Sequence, residues 1–231
     1  MTGHPLNPEA GSTPFPSDPR EIAAALRAGE LSLELTPYYG FRYGERGRRF
    51  TRSDSAFLVT LATHPRPVVE RQIRWLAGLL ANRGMPSLLL DQHLRVLHRA
   101  LCRAIPRRAA SYGRLLEAAD LLRDARRALL PDEDCGALAR SFVREAGLPP
   151  TRLALGVGWL LAGAVADERS GSRSAVSSVA SWFTDPELFP PRFVAAVHSS
   201  LAGARAAARQ APPLRGEPAT SGDRRAGSAS R

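Results

Sequence analysis

The sequence predicts an all-α fold, a compact single-domain bundle of about eight or nine helices, on three observations. The 231 residues include 37 Ala and 31 Leu against 11 Val and 3 Ile, and small or straight-chain side chains lose less freedom in a helix than β-branched ones. Apolar residues recur at three- and four-residue spacing along most of the chain. Helix start and stop residues punctuate those stripes.

The elements follow in order. Residues 1–16 hold four Pro and few apolar residues, and residues 211–231 are rich in Pro, Gly, Ser and Arg. Neither buries enough apolar surface to offset its ordering entropy, so both are expected to be disordered tails around a helical domain at 17–210. Asp18-Pro19-Arg20-Glu21 reads as a capping residue, a proline at the first helical position and a capping-box glutamate, and Gly29 as the end of that helix. Thr36-Pro37 opens a short helical segment through Tyr43, and Thr51 with Asp54 makes a second capping box before Phe57, Leu58 and Leu61.

Val69, Ile73, Leu76 and Leu80 form the next apolar face, closed by Gly84 and Pro86. Leu90, Leu94, Leu97, Leu101 and Ile105 make a stripe that stops at Pro106. Leu115, Ala118, Leu122, Ala125 and Leu129 follow at heptad spacing. Asp132 caps a helix ended by Gly147-Leu148-Pro149. Val176 to Phe183 and Pro191 to Leu201 mark the last two. Leu153 to Ala166 is apolar on every side and is expected to be the central buried helix. Its Ala154, Gly158, Ala162 and Ala166 make a ridge of small residues that lets a neighbouring helix approach closely.

Every basic residue is arginine, which removes each mechanism that needs a lysine amine. The all-Arg, Ala-rich composition matches a GC-rich bacterial genome. GxSxG, Walker and strand-linked GxGxxG patterns are missing, and no carboxylate pair lies on an apolar face, so a non-enzymatic role is expected. Two cysteines suggest no disulfide framework, no signal peptide is visible, and the longest apolar run is too short to span a bilayer. A soluble cytoplasmic protein is expected.

The net charge of +10 is concentrated. Arg42, Arg46, Arg48, Arg49 and Arg52 stand against Glu45 alone. Between Gln92 and Leu116 lie Arg95, Arg99, Arg103, Arg107, Arg108 and Arg114 with no acid. The remainder is balanced. The first segment interleaves Arg with Tyr38, Tyr39, Phe41, Tyr43 and Phe50, a pattern suited to stacking and to forked contacts with phosphate or carboxylate oxygens. In the second, Arg95, Arg99 and Arg103 fall opposite the leucine stripe, and an acidic partner is expected to relieve their repulsion. Arg107 and Arg108 oppose a helix N-terminus.

The expected function is a bacterial binding or regulatory module that uses these arginines, with Tyr39 and Tyr43, to engage an acidic protein surface, a phosphorylated ligand or nucleic acid. No cofactor is expected. The alternative is a helical sensor bundle around haem or a metal, with His98 and Cys102, one turn apart, as the candidate ligands.

Overall fold

The computed structural model describes residues Leu6–Gln210. Among them it contains nine α-helices and no strand: α1 Pro19–Leu35, α2 Tyr38–Leu61, α3 Arg66–Asn82, α4 Ser87–Ala104, α5 Ala109–Leu129, α6 Asp132–Ala146, α7 Arg152–Arg169, α8 Ala175–Phe183 and α9 Pro191–Gln210. The all-helical bundle expected from the sequence is therefore the observed fold. No helix of the described residues is long and apolar enough to cross a membrane.

The helices gather around two apolar clusters. The first takes α1, the second half of α2, α3, α4 and the first half of α5, centred on Ile73, Leu94, Leu97 and Tyr112. The second takes the end of α5 with α6 to α9, centred on Phe142, Leu161 and Val197. α7 is buried along most of its length, as its uniformly apolar sequence requires. At Gly158 the backbones of α6 and α7 nearly touch, since a Cβ there would lie within 2.9 Å of Ala139 Cβ and closer still to its Cα. The small-residue ridge is the seat of α6.

Several expected boundaries move. Gly29 does not end α1 but lies buried inside it, where α2 packs so close that an added Cβ would meet Thr51 Cγ2 at 3.0 Å. The segment expected to end at Tyr43 does so, because α2 is broken at Gly44, whose φ of 55° only glycine adopts readily, but the second half resumes at once and not at Thr51. Thr51 and Asp54 are therefore mid-helix residues, and Thr51 donates to Gly47 O rather than capping. Glu21 is not a cap either. It is buried and accepts from Tyr112 Oη at 2.6 Å and Arg108 Nη1 at 2.7 Å, which ties α1 to the 3-10 turn Pro106–Arg108.

Residues 1–5 and 211–231 of the expected tails lie outside the described residues. The rest of the N-terminal segment carries a 3-10 turn, Pro8–Ala10, capped by Asn7. Asn7 is fully buried and donates to Ser53 Oγ at 3.4 Å.

The close approach at Gly158 makes a direct test. Gly158→Leu should destabilise the protein by about 1–3 kcal/mol or more, read as a lower urea midpoint, because Ala139 backbone cannot withdraw as a side chain would.

Candidate functional site

Where the two clusters meet, the helices leave an open groove of about 1350 Å³. One flank of α4 supplies a wall from Leu88 to Arg99, α5 supplies Arg123, Arg126 and Arg127, and the α6–α7 connection with the first turns of α7 supplies the opposite wall. Trp159, Trp182, Phe189 and Phe193 contribute an aromatic floor, with Phe41 at one end. Trp182 packs edge-on against Tyr38, Phe183 and Phe189 at centroid distances of 4.9–5.3 Å, so the floor is a pre-formed ring cluster. Two apolar side chains in the groove are conspicuously uncovered: Phe41 is 69% and Leu153 51% exposed.

The arginine rim is ordered from within. Arg95 bonds Asp91 Oδ1 at 2.7 Å and Asp120 Oδ1 at 2.6 Å. Arg123 reaches Asp91 Oδ2 at 3.1 Å. Arg126 is only 7% exposed. It donates to Leu130 O at 2.9 Å, stacks over Trp159 at 5.5 Å and pairs, like Arg127, with Asp132. Those two guanidinium groups hold the Asp132 carboxyl down at about 2, chiefly through the bond from Arg127. Arg99 and Arg152 complete the rim, and neither has an acidic partner among the described residues. Arg152 sits in the first turn of α7, where its charge and the helix N-terminus add rather than cancel.

Of the Tyr-Arg segment only Tyr38 and Phe41 line the groove, and its arginines are engaged by other partners. Arg42 donates to Tyr38 Oη and to Ser178 O, both at 2.6 Å, and Tyr38 Oη donates to Gly84 O. Tyr43 donates to Arg83 O, and its ring stacks near Tyr39 at 5.0 Å. Arg46 and Arg49 both bond Glu9, and hold that carboxyl below the usual range. Arg48 and Arg52 both bond Glu30. The run of positive charge in sequence is thus met by acids from α1 and the N-terminal segment. None of Arg46, Arg48, Arg49 or Arg52 lines the groove.

Of the second segment, the expectation of an unpaired stripe holds only in part. Arg95 is held by Asp91, four residues earlier, and Arg108 by Glu21. Arg99, Arg103 and Arg107 are exposed and unpaired among the described residues, and only Arg99 faces the groove. Arg123, Arg126, Arg127 and Arg152 belong to the site although charge clustering did not point to them. Arg123, Arg126 and Arg127 are balanced by nearby acids in sequence and Arg152 stands alone, so only the fold brings them to one edge.

His98 and Cys102 lie 3.4 Å apart, Nε2 to Sγ, as a partly buried pair on α4. Two ligands are available there, and no group of three or more His, Cys, Asp or Glu able to hold a metal occurs among the described residues. Burial lowers the His98 ring and raises the Cys102 thiol, which disfavours a thiolate–imidazolium pair.

On its other flank α4 carries His93, whose Nδ1 meets Ser32 Oγ at 2.8 Å and whose Nε2 meets Ser55 Oγ at 3.1 Å. Burial pushes its pKa down to about 4, so the ring is neutral at pH 7. Nearby Asp54 is pushed up to about 6 by burial, against a weaker opposing pull from Arg83.

Compared with family models, curated proteins and solved structures, the chain matches none of them.

The shift at Asp54 fixes a pH dependence. Its folded pKa lies above the unfolded value, so its stabilising share is complete below about 4 and is lost as pH rises through about 6. Asp54→Asn should therefore be more stable than the parent at pH 8, by about 1–2 kcal/mol after allowing for solvent screening, with the gap closing towards pH 4. Urea denaturation at the two pH values measures it. His93 works in the opposite sense, since its share is present above about 6.5 and lost as pH falls through about 4. The comparison must therefore be between variant and parent at each pH.

Proposed function

We propose that this protein is a non-enzymatic binding module whose groove takes an acidic, amphipathic helix from a partner protein. The observation that carries the reading is the union, in one groove, of an aromatic floor and the exposed Phe41 and Leu153 with six arginines: Arg95, Arg99, Arg123, Arg126, Arg127 and Arg152. Two acids, Asp91 and Asp132, lie among them. Most of these arginines are held by carboxylates, which orients the forks before any partner arrives and lowers the entropy lost on binding. Arg99 and Arg152 are left to pair with incoming acids.

The volume exceeds the roughly 300–1,000 Å³ of ordinary small-molecule pockets, and the groove is open, which suits a helix laid into it better than a single enclosed ligand. Apolar side chains of such a helix would cover Phe41 and Leu153, while carboxylates on its flank reach the rim. Nucleic acid is the weaker fit, because the tyrosine–arginine segment suited to stacking on bases is occupied by its own contacts. A second copy of this chain in a two-fold contact would bring the arginine rim against itself.

The test uses a synthetic helix with leucines on one face and glutamates on its flanks. It should bind the full chain with an affinity that falls as salt rises. Replacing Arg99 and Arg152 together by Gln should weaken binding about tenfold, and Leu153→Asp should do the same through the floor. Arg103→Gln with Arg107→Gln, exposed but outside the groove, should leave it unchanged. Equal losses from both arginine pairs would reduce the effect to bulk charge, and tighter binding of a single-stranded oligonucleotide at the same salt would replace this reading.

A further inference from the structure

Beside the groove, and separated from it by the Thr36–Gln92 pair, lies a second space. Thr36 Oγ1 donates to Gln92 Oε1 at 3.2 Å, and both residues line the groove on one side and this cavity on the other. The cavity measures about 90 Å³, lies between α1, α2, α3 and α4, and is partly open to solvent. Its walls are mainly apolar, from Leu58, Leu76, Leu80, Met85 and Leu89.

One wall carries the Asp54 carboxylate. It sits in mid-helix, where the backbone N–H groups around it are committed to the helix, and it accepts no hydrogen bond from any described side chain. Arg83, the cation that acts on it, lies beyond ion-pair distance. None of the other polar groups lining the cavity, Tyr39 and Gln92 included, makes a hydrogen bond to it. Ser32 and Ser55 are engaged with His93 and with the carbonyls of Ala28 and Thr51. Thr51 gives its hydroxyl proton to Gly47 O. A desolvated carboxylate without a donor is costly, far more so than one met by a fitted cation.

We propose that this cavity is a binding site for a small primary ammonium ion with a short aliphatic body, its N–H donors on Asp54 and its carbons against the leucine walls. The size sets the class: a space of about 150 Å³ holds a benzene ring, so this one takes a body of roughly three to five heavy atoms. The charge sets the headgroup. His93 on α4 is held neutral and adds no competing cation, Tyr39 on α2 is pushed up to about 12 by burial and stays protonated, and Arg83 follows α3. α1 contributes only Ser32, Leu33 and Thr36 to the lining. Asp54 is therefore the one carboxylate among the residues lining the cavity.

The experiment is calorimetric titration of the full chain with n-propylammonium chloride and, separately, with 1-propanol. Saturable millimolar binding of the amine and none of the alcohol is expected at pH 7.5. Affinity should fall as pH is lowered through about 6, where Asp54 takes up its proton. Asp54→Asn should weaken amine binding tenfold or more. Carboxyl carbon NMR of the unaltered protein gives a readout that needs no variant, since saturating amine should move the Asp54 titration to lower pH. Equal binding of amine and alcohol, or an Asp54 titration that the amine leaves in place, would overturn the site. These outcomes are independent of whether the acidic helix binds the groove.

Discussion

One buried carboxylate ties the two halves of the bundle together, alongside α5, which runs through both, and the bonds of Asn82 to Ser174 and Ser178. Asp167, near the end of α7, accepts from Ser87 N at 2.7 Å and from Ser87 Oγ at 2.5 Å. It thereby caps the N-terminus of α4 from eighty residues away, where Pro86 offers no capping side chain. The contact is deeply buried, with Asp167 only 7% exposed. Burial lifts its pKa to about 6 even though both bonds from Ser87, and the more distant Arg126, favour the charged form. Close packing reinforces it, because Gly163 admits Leu88 to the face of α7 where a Cβ would collide. α4 is thus pinned at its start, and everything that its two flanks carry is placed by that pin.

Those flanks hold both sites. One turns Asp91, Arg95 and Arg99 to the groove, and the other turns His93 towards the cavity that Asp54 faces. The arginine content acquires a structural meaning here that net charge alone does not convey. A planar guanidinium can satisfy two acceptors at once, so Arg95 joins Asp91 to Asp120, and Arg126 joins Leu130 O to Asp132. An ammonium in place of Arg126 could not both bond Leu130 O and Asp132 and lie flat over Trp159. Much of the positive charge clustered in sequence is therefore internal scaffolding, met by acids from other elements, and arginines such as Arg99, Arg103, Arg107 and Arg152 are left without an acidic partner among the described residues.

The helices were legible in the sequence wherever one periodicity ran without interruption. The leucine stripe from Leu90 to Ile105 corresponds to α4, and the apolar run from Leu153 to Ala166 to the buried α7. Legibility failed where glycine has two roles. Gly29 reads as a helix end and is instead a place of close approach, as is Gly47 against the Tyr39 and Tyr43 side chains. Only Gly44 has the backbone that breaks a helix. Asp54 was obscured by the same error, because a supposed cap has its partner in the backbone and needs no other. Of the groove, Arg95 and Arg99 were visible as members of a basic stripe. Arg123, Arg126, Arg127, Arg152 and the rings of the floor were not, since they are drawn from four helices and a connection, and only the three arginines of α5 share a helical spacing.

The two sites are also the places where the molecule departs from what folding alone favours. Apolar side chains belong inside and charges outside, and the bundle obeys this closely in both clusters. At the groove the rule is inverted, with Phe41 and Leu153 in water and Arg126 buried beneath them. At the cavity it is inverted again, with a carboxylate against leucines and empty space where a side chain could have packed. Each inversion weakens the fold, by unfilled volume in one case and by desolvated charge in the other. Both are adjacent and share the Thr36–Gln92 wall. Trp75 and Leu188 are exposed singly elsewhere, so what singles out the groove is that its uncovered Phe41 and Leu153 share one space with six arginines.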